Sequence, residues 1–154
     1  MITMSNITVQ QISIVQPIKA VGKNFTGDYR QSFAYIKEVQ TLLDALSVKW
    51  IPNKVLGIYY DHPAEKKAED LRSFQGVFTK NEQVIPTGAL STVELAGSFL
   101  YTIVSGDPAQ AIGEGYAALF EYVGRHAIKL KSNAGIQIVT LENGMAQTEI
   151  YLEL

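Results

Sequence analysis

The chain has no cysteine among its 154 residues. That absence removes thiol nucleophiles, thiolate metal sites and disulfides together. Positive charge is not in surplus either: 13 Lys and Arg stand against 15 Asp and Glu, a formal charge of −2. Phosphate backbones are held by clustered cations, so direct binding to nucleic acid is not expected. No apolar run approaches the roughly 18–20 residues that a membrane helix needs. Met1–Gln10 lacks the basic start and apolar core of a secretory signal, so the expectation is a soluble, cytoplasmic chain with no membrane contact. Gly-x-Ser-x-Gly is missing, which leaves the serines without a nucleophile elbow. His62 and His126 lie far apart, without partners at ligand spacing, and no metal or other cofactor is expected. Ser105-Gly106-Asp107-Pro108 lacks the glycine spacing and lysine of a phosphate loop and reads as a helix cap.

What remains is an ordinary globular composition, 47% apolar and 18% charged. A chain of this length buries roughly 68–70% of its unfolded surface and needs no covalent staple. A single domain over residues 1–154 is expected.

Ile7, Val9, Ile12, Ile14 and Val15 alternate with polar residues apart from a slip at Gln10-Gln11, which predicts a strand with a bulge there. A second extended piece follows over 19–25. Asp28 is placed to cap a helix, with Gln31 reaching back as in a capping box. Phe33, Ile36, Val39, Leu43 and Leu46 then recur at helical spacing. Residues 55–60 and 71–79 read as strands, the latter interrupted near Gly76, and 81–88 as a connector. Trp50 reads as packing beside the first helix. In the second half, 93–104 is strand-like. Asp107, Pro108 and Gln110 open a helix that Gly124 should stop. Residues 135–140 and 148–154 follow as strands around the hairpin signal Glu142-Asn143-Gly144.

The order repeats. Gly-Asp-x-x-Gln begins at Gly27 and again at Gly106, and Gly-Ile begins a strand at Gly57 and again at Gly135. Each half, about 5–80 and about 90–154, therefore reads strand, helix, strand, strand. The expected fold is α+β: duplicated βαββ units with antiparallel sheets, paired about a pseudo-twofold axis with a central cleft between them.

The Gly-Asp-Tyr opening of the first helix, the stretch Gly57-Ile-Tyr-Tyr-Asp-His-Pro63, the helix segment Gly115-Tyr116-Ala-Ala-Leu-Phe-Glu-Tyr122 and the terminal strand from Thr148 to Leu154 together resemble the GyrI-like family. This family is also described as the effector-binding domain of multidrug-responsive transcription activators. The resemblance implies a central, aromatic-lined pocket for small, often cationic or apolar, molecules. In regulators the module follows a helix-turn-helix domain, and no such domain is read here, so a stand-alone form is expected. Other stand-alone members resemble gyrase-protecting or toxin-neutralising proteins, and some hydrolyse strained electrophiles. The resemblance aligns the regulators' cation-binding glutamate with Gln137, and their helical Trp with Tyr122. Gln supplies hydrogen bonds but no charge, and the two substitutions together point to a neutral or polar ligand or to a cleft that has lost its ancestral use.

The ligand-binding candidates are Tyr59, Tyr101, Phe120, Tyr122 and Gln137, because aromatic walls stack on flat or cationic ligands. Glu94 and Glu149 are the acids to watch; alternation with Ile150 and Leu152 predicts that Glu149 faces solvent. The expected function is the binding of a small organic molecule, an aromatic and drug-like one, cationic or neutral, with binding favoured over catalysis. The alternatives are a hydrolase using Glu94 or Glu149 with a tyrosine, and a protein-interaction or gyrase-inhibitor-like role. A homodimer through an edge strand, or a separate regulatory protein, completes the partners considered.

Overall fold

The computed structural model describes residues 7–80 and 88–154 of the chain. The connector expected at 81–88 lies, apart from Gly88, outside the described residues, as does the start of the chain.

The elements run β1 (Gln10–Thr26), α1 (Ser32–Ala45), β2 (Trp50–Tyr59), β3 (Arg72–Thr79), β4 (Ser91–Ser105), α2 (Pro108–Arg125), β5 (Gly135–Glu142) and β6 (Met145–Glu153). Each half is thus strand, helix, strand, strand. The six strands do not form two separate sheets. They close into one antiparallel barrel in the order β1-β3-β2-β5-β6-β4, with the halves joined by the β2–β5 and β1–β4 ladders. Closure solves the problem that each half alone would leave one apolar sheet face uncovered. It also pairs every strand on both sides, so the edge-strand route to a dimer finds no free edge among the described residues.

Alternation along each strand sorts side chains between the two faces. Leu56, Ile58, Phe74, Phe78, Leu95, Phe99, Ile136, Ile138 and Tyr151 fill the barrel. Fully burying such a side chain stabilises the fold by about 1.5–3 kcal/mol. On the outside, Ile36, Val39 and Leu43 of α1 pack on Val21 and Val77. Leu119 and Ala111 of α2 pack on Leu100, Val104, Ile150 and Leu152. The helices cover the β1–β3 and β4–β6 pairs and leave the outer face of β2–β5 as a strip between them.

Several local expectations are corrected. The N-terminal pieces form one strand whose bulge falls between Ile14 and Ile18, not at Gln10-Gln11. Pro17, which cannot donate to a ladder, lies in that break. Strand β3 is continuous through Gly76: a Cβ on Gly22 would lie 2.0 Å from the Gln75 carbonyl oxygen, so the glycines there serve close backbone approach. Asp28 caps a 3-10 turn over Tyr29–Gln31, accepting from the Arg30 amide, and Gln31 makes no cap bond to α1. Asp107 does cap α2, whereas Gln110 donates to Glu114 instead of closing a box. Helix α2 runs past Gly124 to Arg125, and the left-handed residue after it is Ala127, at φ 50°. Trp50 packs against the α1 cluster and donates from Nε1 to Asp44 at 2.9 Å.

Candidate functional site

The strip between the helices is built on the crossing of β2 and β5. Ile58 pairs with Ile136, Gly57 with Gln137 and Tyr59 with Gly135. Because the isoleucines point into the barrel, the four outward positions are two glycines, one tyrosine and one glutamine. The glycines leave a flat floor over which rings can lie. The Tyr59 ring folds back over Gly57, where a Cβ would come within 2.7 Å of its hydroxyl. Over Gly135 the ring comes instead from α2: a Cβ there would stand 2.2 Å from the Tyr116 hydroxyl. The Gln137 amide donates to that hydroxyl at 2.8 Å, leaving the phenol proton available to another acceptor. Burial pushes the Tyr116 pKa up to about 12, opposed by the Gln137 hydrogen bond.

Two more rings complete the strip. Tyr29 meets Tyr59 edge-on, at a centroid distance of 4.8 Å. Phe120, one turn along α2 and 49% exposed, stacks on Tyr116 at 6.3 Å. Tyr29 is fixed from behind: its hydroxyl donates to the Arg72 carbonyl at 2.7 Å and accepts from the Asp61 amide at 3.1 Å. Asp61 in turn receives the Arg72 guanidinium and amide at 2.8–3.0 Å and Lys66 at 3.1 Å, with its side chain only 6% exposed. These partners, Arg72 first, hold its carboxyl well below the usual carboxylate range. At the opposite end the buried Gln75 donates to Ser73 and Ser32, tying β3 to the start of α1.

The candidates read from the sequence divide. Tyr59, Phe120 and Gln137 come together here, through Tyr116. Tyr122 lies elsewhere on α2, packed in its core-facing cluster with its ring 4.1 Å from His126. Tyr101 faces the barrel side of the sheet, against Tyr151 at 5.0 Å. Glu149 does not stand in solvent as the alternation suggested; it is half-buried and accepts a hydrogen bond from Tyr151. Burial and that carboxylate push Tyr101 up to about 12. Glu94 is 55% exposed and faces Lys19 at 3.8 Å. His62 accepts from the Ala64 amide within its turn. Among the described residues, no three His, Asp or Glu side chains are grouped to hold a metal ion, and no helix is long and apolar enough to cross a membrane.

Sequence reasoning gave no site role to Tyr29, Tyr116 or Asp61. Tyr116 sits at helical spacing with Ile112 and Leu119, the pattern of a core position. Its distinguishing signal is the glycine at 135, which a buried strand has little reason to carry unless something lies close above it.

Residues 11–154 match the GyrI-like small molecule binding domain, and the chain belongs to that family. No curated protein matches it. Among solved structures, its fold is similar to a chain of the EcmrR–DNA complex in EcmrR-RPo, at TM-score 0.67 and 16% identity over 96% of this chain. This chain spans 56% of that one. It is also similar to an integron cassette protein from the mobile metagenome of Vibrio cholerae (TM-score 0.55, 12% identity, 97% of this chain and 99% of that one). A third is SAV2435 bound to tetraphenylphosphonium (TM-score 0.50, 12% identity, 97% and 94%).

Proposed function

We propose that this chain binds a small aromatic molecule on the strip between its helices, as a ligand-holding module of the effector-binding type. The observation that carries this is the Gln137–Tyr116 hydrogen bond, set over two glycines and ringed by Tyr29, Tyr59 and Phe120. Rings supply area and a quadrupole, and the Gln137–Tyr116 pair supplies one directional donor and one acceptor. The group contains no carboxylate. A neutral or polar aromatic therefore suits it better than a drug cation, for which the rings alone would have to offset desolvation.

Isothermal titration with tetraphenylphosphonium, a neutral aryl amide and an aryl carboxylate tests this. The aryl amide is expected to bind most tightly. Gln137→Ala and Tyr59→Ala should each weaken it at least about tenfold, or 1.4 kcal/mol. Gln137→Glu should shift preference to the phosphonium. Affinities indifferent to all three substitutions would overturn the reading.

One observation favours a hydrolase as second reading: Glu149 lies beside Tyr151 and Tyr101. These groups face the barrel, away from Tyr59 and Gln137. Turnover of an electrophilic ester that disappears in Glu149→Gln, with ligand binding on the strip intact, would separate the two.

A further inference from the structure

The same two strands have a second surface. Where β2 and β5 turn Ile58 and Ile136 inward, the end of the barrel opens into a cavity of about 340 Å3, within the usual size range of small-molecule pockets, which starts at about 300 Å3. Its floor is apolar: Ile58, Leu95, Phe99 and Ile136. Glu94, Glu153 and Tyr60 also line it, and among the described residues no Lys, Arg or His does.

The ladder beside the cavity is irregular. Strand β1 carries extra residues opposite β4 between Ile14 and Ile18, so the ladder parts there, and Val15 swings out to 90% exposure. On the facing strand Ala96 and Gly97, the latter at φ 103°, offer little side chain to fill the gap.

We infer that this barrel mouth is a second ligand site, distinct from the strip between the helices, and that it takes a small primary ammonium compound with one aromatic ring on a short alkyl tail. The ring would rest on Phe99 and the two isoleucines, and the ammonium would sit between Glu94 and Glu153. Among the described residues, those carboxylates pair with Lys19 at 3.8 Å and Lys131 at 3.9 Å, on side chains 49% and 69% exposed. Exposed pairs at such distances contribute little, so an ammonium held over an apolar floor competes with them well. An anion would meet two like charges at the rim.

The test is methyl and amide NMR titration of the full chain with 2-phenylethylammonium, 2-phenylethanol and phenylacetate. The ammonium compound should shift the Ile58, Ile136 and Leu95 methyl signals, and bind at least tenfold more tightly than the alcohol. Phenylacetate should leave them unmoved. Glu94→Gln combined with Glu153→Gln should erase the preference for ammonium over alcohol, and Ala96→Phe, which fills the mouth from an exposed position, should abolish the shifts. Gln137→Ala should change nothing at this end, which keeps this site separable from the strip. Shifts confined to Tyr116 and Gln137, or an ammonium preference that survives the double substitution, would overturn the inference.

Discussion

The two halves solve the same local problem with different side chains. Gly57-Ile58-Tyr59 and Gly135-Ile136-Gln137 lie at matching positions on either side of the β2–β5 crossing. In the first half the ring that roofs the glycine comes from the strand itself, two residues on, and is braced by Tyr29. In the second half the strand offers only a glutamine, and the ring arrives from α2. The pairing of the two strands therefore sets where a roof is needed, while side-chain reach decides which element supplies it. The consequence is chemical asymmetry: one side of the strip is ring against ring, the other a hydrogen-bonded phenol and amide.

The halves differ again where their first and last strands meet, and this gives the largest expected effect. Strands β1 and β3 approach through Gly22 and Gly76, backbone on backbone, whereas β6 carries no glycine. Gly22→Ala puts a methyl 2.0 Å from a carbonyl oxygen that cannot swing away. It should cost about 3 kcal/mol, the upper end for overpacking, read as a lowered urea midpoint. Gly135→Ala meets a side chain, the Tyr116 hydroxyl and ring edge, which can shift where a backbone carbonyl cannot, so it should cost less while weakening the ligand on the strip. Equal losses would break the distinction between backbone and side-chain contact.

Removing the two propping hydroxyls sharpens the asymmetry. Tyr29→Phe strips partners from both the Asp61 amide and the Arg72 carbonyl. It should destabilise by about 1–3 kcal/mol in urea unfolding. Tyr116→Phe leaves a single Gln137 donor unpaired and should cost about 1 kcal/mol, with its main effect on ligand affinity. The reverse order would mean that the second half, not the first, carries the structural prop.

The smallest effect is the alkaline titration. The Tyr116 phenol ionises in the fold near 12, above the ordinary value near 10. Between those two values the unfolded chain has lost the proton and the folded chain keeps it, so stability is full below about pH 10 and falls as pH rises towards 12. Tyr116→Phe should make that fall shallower, followed by phenolate absorbance and chemical unfolding together. Tyr101, also near 12, remains as the internal control on the barrel side.

Local signals in the sequence were good guides wherever neighbours in the chain decide the outcome. The helical spacing of Ile36, Val39 and Leu43 named the buried face of α1, because the helix period is a property of the backbone alone. Asp107 capped its helix for the same reason. The boxes expected at Gln31 and Gln110 failed because a 3-10 turn intervened in one case and Glu114 competed in the other. Glu149 was misread because alternation names two faces but not which of them is water: in a barrel, the polar-looking face lines the interior.

The sequence by itself determined the element order, the strand–helix–strand–strand rhythm of each half and the placement of Tyr59 and Gln137 on strands. It could not determine that Tyr116 reaches Gln137, that Tyr101 and Tyr122 leave that group, or that one end of the barrel stays unfilled. Those outcomes depend on the pairing of β1 with β4 and of β2 with β5, contacts between residues some 80 positions apart. Short-range patterns bias each segment towards its conformation. Only closure of the barrel, driven by burial of two apolar sheet faces against each other, brings distant side chains into one site.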